Sequence, residues 1–495
     1  MILTQNQHRA PIAEAMKNYA SDGALAFHTP GHKQGLGAHP LLKRLITDEG
    51  LREEVSLMEE LDDLHEPEGC IRDAQDLAAE LYGADHAYFV INGTTGANHA
   101  MLMGTVQPGD TVLLPRNAHR SLTGALILAG ARPVFLQPEI SERFGIAMGV
   151  TLTTVQEAVK KHPEARALVL VYPTYYGVTF DLKSIADFVH ANDMLLLVDE
   201  AHGPHLRFSE KLPLQALDAG ADAAAQSTHK IIGSMTQTSM LLTKGPRIDT
   251  ERMRQAVSLL QSTSPNQLLL ASLDIARLQM AEAGEKLVGR AVRIAEDLRV
   301  KINAIPGLFC FGRRDMTTPG ASGLDVTKLT VSVRGLGMSG REAEHILRCE
   351  EYIECELSDA YNVLFIISYA DTEREAEKLL TALRHLAAHR RNGSAFHVTR
   401  ALPPVPCQVL TPREAFFAAV ERVSFDASNG RIAAEQVMFY PPGIPFLVPG
   451  DRIDTVTLAY IREQQQLGLK VTGPEDPQLR TIKVVRENTK GVRHE

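Results

Sequence analysis

Leu195-Leu196-Leu197-Val198-Asp199-Glu200-Ala201-His202 is an apolar run of strand length that ends on a carboxylate. The pattern repeats on both sides of it. From about residue 72 to 300, short β-rich runs alternate with amphipathic stretches of helix length. The predicted strands are Ala87–Ile91, Thr111–Leu114, Pro133–Leu136, Ala167–Val171, Met194–Val198 and Ala221–Gln226. The predicted helices between them begin at Ala97 and cover Ser121–Ala129 and Ser184–Ala191. Alternation of this kind predicts βαβ units and a mainly parallel sheet buried on both faces. Such sheets place ligands at the carboxyl ends of their strands.

Ser227-Thr228-His229-Lys230-Ile231-Ile232-Gly233 follows the last of these strands. A single lysine is most often a solvated surface charge, and a single aspartate after a strand most often caps a turn. Lys230 and Asp199 are separated by one βαβ excursion, so adjacent strand ends bring them together. A Schiff-base lysine needs partial desolvation to lower its pKa and hydroxyls nearby to hold a phosphate. A buried carboxylate opposite it keeps a pyridine nitrogen protonated and makes the ring an electron sink. The pair therefore predicts pyridoxal 5′-phosphate bound as a Schiff base on Lys230.

Two more loops point to the same cofactor. Asn92-Gly93-Thr94-Thr95-Gly96 opens a helix, and its backbone N–H groups with two hydroxyls suit a phosphate. No Gly-Lys-Ser/Thr follows, so it is not a P-loop. Pro115-Arg116-Asn117-Ala118-His119-Arg120-Ser121 places His119 where an imidazole can stack on an aromatic ring.

Composition narrows the class. The chain has 495 residues, 44% hydrophobic and 22% charged, with a formal charge of −9 and no basic stripe. That excludes a nucleic-acid binder, and the length implies several structural units. No apolar run approaches a membrane span, and the first residues lack a secretory pattern. Five scattered cysteines without C-x-x-C spacing fit free thiols in a reducing compartment, so a cytoplasmic protein is expected. His28 and His32 are spaced i, i+4, but Pro30-Gly31 between them rules against a helix, and no metal site is expected. Four regions are predicted: an N-terminal arm (1–70), a cofactor-binding large domain (71–304), a small α+β domain (305–390) and a C-terminal α+β domain (391–495). Ala388–Ser394 reads as a linker.

Read together, these segments closely resemble the Orn/Lys/Arg decarboxylases, fold-type-I PLP enzymes acting on basic amino acids. The resemblance runs end to end. It includes His28-Thr29-Pro30-Gly31-His32-Lys33-Gln34-Gly35, Leu61-Asp62-Asp63-Leu64-His65-Glu66-Pro67-Glu68-Gly69 and Ser262-Thr263-Ser264-Pro265. It closes with Tyr440-Pro441-Pro442-Gly443-Ile444-Pro445 and Pro449-Gly450-Asp451. The resemblance implies Lys230 as the Schiff-base residue, Asp199 as partner of the ring nitrogen and His119 stacked on the ring. Gly93, Thr94, Thr95, Ser227 and His229 surround the phosphate, Ala201 packs on the ring face, and His202 is a cofactor-site residue of open role. Ser262 reaches the phosphate of a neighbouring subunit, which makes the active unit a homodimer, with higher oligomers open. The chain looks like the shorter branch, without the extra N-terminal domain of the long members.

The implied reaction is decarboxylation. Substrate amine displaces Lys230, the carboxylate leaves as CO₂ perpendicular to the ring, and Cα is protonated by His229 or Lys230. A basic side chain needs a distal carboxylate, and Glu435 and Glu356 are the candidates, with Glu354 and Asp359 as further choices. Arginine, giving agmatine for polyamine synthesis, is the first substrate; lysine (giving cadaverine) and then ornithine (giving putrescine) follow. A PLP aminotransferase or β-eliminating lyase is the alternative from another class, since both share the Asp–Lys pair; Arg334 is then the α-carboxylate clamp.

Overall fold

The computed structural model describes residues 6–389, 403–439 and 444–487. The chain divides into two compact units. One comprises residues 1–105 and 195–290; the other comprises residues 106–194 and 291–495.

In the first unit, four strands lie in the order His86–Val90, Ser239–Thr243, Ala223–Gln226, Leu195–Asp199. Leu197, Val198 and Asp199 pair in parallel with Ala223, Ala224 and Ala225. Every residue of Leu195–Asp199 and Ala223–Gln226 is buried, which explains their unbroken apolar composition. Ser239–Thr243 runs antiparallel to both neighbours and was not anticipated from the alternation. Between Gln226 and Ser239 the only helix is the four-residue Thr228–Ile231, so there is no crossover helix to return the chain in parallel. The helix expected from Ala97 begins earlier, at Gly93, and runs to Thr105. Its first turn contains Thr94 and Thr95, β-branched residues of modest helix propensity.

The N-terminal segment is fastened to this unit by a buried pair. Arg277 and Asp274 are both fully buried and joined at 2.5 Å. Arg277 also donates to the carbonyls of Gln7 and Arg9, and the second oxygen of Asp274 accepts from the N–H of Ile12. Helix Pro11–Ser21 is thereby anchored at its first turn. Arg277→Met leaves a buried carboxylate without its counter-charge and lowers stability by about 3–5 kcal/mol. Chemical denaturation checks this, and an unchanged midpoint contradicts it.

In the second unit, Ala167–Val171, Thr111–Pro115 and Arg132–Leu136 form a parallel three-strand array, as the alternation predicts. An antiparallel sheet, Phe309–Cys310, Lys328–Ser332, Asn362–Ile366 and Leu357–Ser358, packs with helices Gly340–Glu350 and Glu373–Ala388. Leu329, Val331, Val363, Leu380 and Leu383 form its core. A separate core around Phe425, Val437, Leu447, Ile461 and Val484 supports the C-terminal region. The expected linker after His389 and the Tyr440–Gly443 turn lie outside the described residues.

Candidate active site

Strand register brings the predicted site residues of the first unit together. Val90 is opposite Ser239, Met240 is opposite Gln226, and Ala225 is opposite Asp199, so the ends of three strands and the start of the fourth share one rim. Thr94, in the first turn after the His86–Val90 strand, reaches across that rim. Its hydroxyl lies 2.5 Å from Ser227 Oγ and 2.9 Å from Ser239 Oγ, and all three side chains are buried. Ser239 Oγ in turn donates to the Gln226 carbonyl. Thr95 is exposed, and Gly93 holds φ +65°, a left-handed conformation that favours glycine.

Asp199 ends its strand only 3% exposed. Asn98 Nδ2 donates to Oδ2 at 2.9 Å, and the Ala201 N–H donates to Oδ1 at 3.2 Å. Asn98 is fully buried, four residues after Thr94 on the same helix. Sequence reading missed it; the i, i+4 pair of polar residues on a helix of otherwise small and apolar side chains was the available signal.

After Asp199 the chain turns sharply, with Gly203 N–H donating to the Glu200 carbonyl. A Cβ on Gly203 would meet Glu200 Cγ at 2.5 Å, so this turn needs glycine. It directs His202 inward, where Nε2 lies 3.1 Å from Lys230 Nζ. Ala201, half-buried, stands between His202 and the strand end.

Lys230 and His229 lie on the short helix Thr228–Ile231. His229 Nδ1 donates to the Thr238 carbonyl at 2.6 Å, which fixes the proton on that nitrogen. Burial, reinforced by the Lys230 charge and opposed by the Thr238 bond, holds the imidazole below its ordinary pKa. His229 is therefore neutral at pH 7, with Nε2 as its acceptor.

Glu200 is the unanticipated titrating group. It is fully buried, accepting from Gln226 Nε2 at 2.8 Å and from the Ala216 N–H at 2.7 Å. Burial pushes its carboxyl up to about 8, outweighing those two bonds. With the folded pKa above the unfolded one, the folded state retains a proton that the unfolded chain releases. The stabilisation is thus complete below about pH 4 and is lost as pH rises toward about 8. Glu200→Gln removes that term, so the melting temperature of the variant should fall less than wild type between pH 5 and 8. Parallel pH profiles would contradict this.

The motif segments around the site have structural tasks. Asp62 accepts from the N–H groups of Glu68, Gly69 and Ile71, closing the Leu61–Gly69 segment. His65 from that segment contacts Ser258 Oγ through Nδ1 and donates from Nε2 to the Ser262 carbonyl at 2.9 Å. His32 Nε2 meets Glu54 at 2.8 Å, and Glu54 also accepts from Asn266 Nδ2 at 3.4 Å. Both segments therefore brace the turn that carries Ser262, whose side chain is exposed. His28 contacts Tyr19 Oη and the Thr29 carbonyl.

In the second unit, His119 caps helix Arg120–Ala129, its Nδ1 accepting from the Ser121 N–H at 3.2 Å. Arg116, three residues earlier, is buried against Asp451 and donates to the Phe446 carbonyl, which joins two of the family-like segments. Neighbouring Gly450, at φ +96°, passes so close to the Leu410 carbonyl that a Cβ would lie 2.0 Å from it. Glu356 accepts from Tyr175 Oη at 2.5 Å, and Asp359 accepts from Tyr176 Oη at 2.8 Å. Both Glu435 oxygens are taken by backbone, accepting from the N–H groups of Lys483 and Glu475. The Arg334 guanidinium lies over the Tyr361 ring.

These residues fit pyridoxal phosphate. Thr228 Oγ1 is buried with no hydrogen-bond partner among the described residues, beside the Ser227–Thr94–Ser239 hydroxyls and the first turn of a helix. That donor set suits a phosphate, while Asp199 supplies a buried carboxylate and Lys230 an amine.

Comparison with known proteins gives the same answer. The model of the Orn/Lys/Arg decarboxylase major domain matches residues 10–319, and that of its C-terminal domain matches residues 396–489. An arginine decarboxylase of Halalkalibacterium halodurans is 44% identical over 97% of this chain and 99% of its own length. An arginine decarboxylase of Bacillus subtilis is 42% identical over the same shares. The inducible lysine decarboxylase of Escherichia coli is 25% identical over 90% of this chain and 75% of its own. Among solved structures, a Francisella novicida lysine decarboxylase superposes with TM-score 0.83 at 22% identity, covering 96% of this chain and 81% of its own. The fold is that of the fold-type-I PLP enzymes: a mainly parallel α/β sheet with smaller α+β parts.

Proposed function

Because this chain belongs to the Orn/Lys/Arg decarboxylase family, and is a PLP-dependent decarboxylase of a basic amino acid, we propose that its substrate is arginine and its products agmatine and CO₂. The observation that carries the choice is the end-to-end identity of 41–44% to curated arginine decarboxylases, against 25% to lysine decarboxylases. Bound pyridoxal phosphate supplies the electron sink that accepts the pair left when the carboxylate departs as CO₂.

The residues divide the remaining work. Asp199, kept in place by Asn98 and Ala201, holds a proton on the ring nitrogen. Thr94, Ser227, Ser239 and Thr228 bind phosphate oxygens, with Gly93 and Thr95 at the helix end and His229 beside Lys230. As the family resemblance implies, Ala201 would pack on the cofactor ring and His119 would stack on it. Lys230 Nζ would deliver the proton that replaces the carboxylate at Cα. His229 is the weaker donor, because its one proton is committed to Thr238. Glu356 receives the guanidinium: its Oε2 has no hydrogen-bond partner among the described residues. Glu435, already saturated by backbone donors, is the poorer choice.

The active unit is a homodimer in which Ser262 completes the partner's phosphate site. Ser262 is exposed, and its hydroxyl bonds only within its own turn. Leu25, Phe27, Leu36 and Leu45 of the same unit are 81–90% exposed, apolar side chains that a partner subunit would cover. Five free cysteines fit a reducing, cytoplasmic setting.

Incubation with arginine, lysine and ornithine, following CO₂ and product amine, tests the assignment. A carboxylate receives guanidinium through two parallel bonds and ammonium through one, so kcat/KM for arginine should exceed that for lysine by about tenfold or more. A higher value for lysine, or keto acid without CO₂, overturns it.

A further inference from the structure

Beyond the cofactor contacts, His202 has no assigned task. It is 5% exposed, and its Nε2 lies 3.1 Å from Lys230 Nζ, although the two residues come from different loops. We propose that His202 is the positioning residue for the Lys230 amine, resting on the reading of Lys230 as the cofactor-bearing lysine. With the Lys230 amine as the donor, Nε2 accepts and the imidazole carries its proton on Nδ1. The imidazole is placed by the turn that follows Asp199: Gly203 N–H closes on the Glu200 carbonyl, Ala201 N–H binds Asp199, and buried Glu200 anchors the loop from behind. The same loop thus holds the carboxylate for the ring nitrogen and the acceptor for the lysine.

The need for such a group follows from the side chain it holds. A lysine amine sits on four rotatable carbons and loses about 2 kcal/mol of rotamer freedom when fixed. Lys230 must form a bond to the cofactor's aldehyde carbon, with water leaving, and must surrender that bond to substrate in each cycle. When released, an unrestrained amine would sample many rotamers. Accepted by His202, it stays at the strand ends where the next bond forms.

The test uses the full-length chain freed of cofactor and mixed with pyridoxal phosphate. The readouts are the rate of growth of the visible Schiff-base band, and the site of the adduct after borohydride reduction. Glutamine places an amide oxygen near the Nε2 position, whereas asparagine is too short to reach it and leucine offers no acceptor. His202→Gln should capture the cofactor close to the wild-type rate. His202→Asn and His202→Leu should capture it about tenfold more slowly, the loss expected for one hydrogen bond to a charged group. All variants should melt near the wild-type temperature, and asparagine keeps the comparison usable if leucine misfolds. Wild-type rates in the asparagine variant, or equal slowing in the glutamine variant, overturn the proposal. A wild-type chain that forms no adduct on Lys230 would instead sink the reading on which it rests.

Discussion

Lys230→Ala abolishes the visible absorbance band and lowers decarboxylation by at least ~10²–10⁴-fold, the range typical of losing one positioned proton-transfer group. The loss is compound. Alanine removes both the amine proposed to anchor the cofactor and the donor proposed to protonate Cα. Pyridoxal phosphate should still enter the pocket, because the hydroxyls of Thr94, Ser227, Ser239 and Thr228, proposed to bind its phosphate, remain. The variant should therefore bind the cofactor non-covalently, with the absorbance of free aldehyde and full release on dialysis. Circular dichroism should be unchanged, since Lys230 lies at the rim of the sheet and not in its core. A variant that keeps the band would show that another lysine carries the cofactor.

Asp199→Asn is the second large effect. Asparagine keeps the shape and still accepts from one neighbour, but it carries no charge to hold a proton on the ring nitrogen. Its amide group also faces the Asn98 amide, so one of the two must turn or lose its bond. The expected outcome is a fall in kcat of ~10²–10³-fold, comparable to removing one preorganised electrostatic stabiliser. The Schiff-base band should persist, because Lys230 is intact. That separates this variant from Lys230→Ala: one loses the bond, the other loses the electron sink. Activity within a few-fold of wild type would mean that Asp199 does not face the ring nitrogen.

Much of this arrangement was legible in the chain. The Leu195–Asp199 strand declared itself because a strand buried on both faces can be continuously apolar, and its terminal carboxylate broke that rule where a ligand would sit. Lys230 stood out for its neighbours more than for itself. The antiparallel Ser239–Thr243 strand was invisible to an argument from strand–helix alternation, and with it went Ser239, whose hydroxyl completes the cluster around Thr94. Asn98 was hidden in a helix whose apolar face drew the eye. Glu200 was overshadowed by Asp199: adjacent residues on a strand end diverge, and only the fold shows which carboxylate turns toward the rim and which toward the interior. The segments His28–Gly35 and Leu61–Gly69 were recognisable as motifs, yet their bracing of the Ser262 turn depends on contacts some two hundred residues apart in sequence.

Lys230 is proposed to bear the cofactor at the strand ends marked by Asp199. Borohydride reduction of the holoenzyme, followed by proteolysis and mass mapping, addresses it directly. A single phosphopyridoxyl adduct is expected on the peptide containing Ser227-Thr228-His229-Lys230. An adduct on any other lysine, or a reduced protein with no adduct, would contradict it.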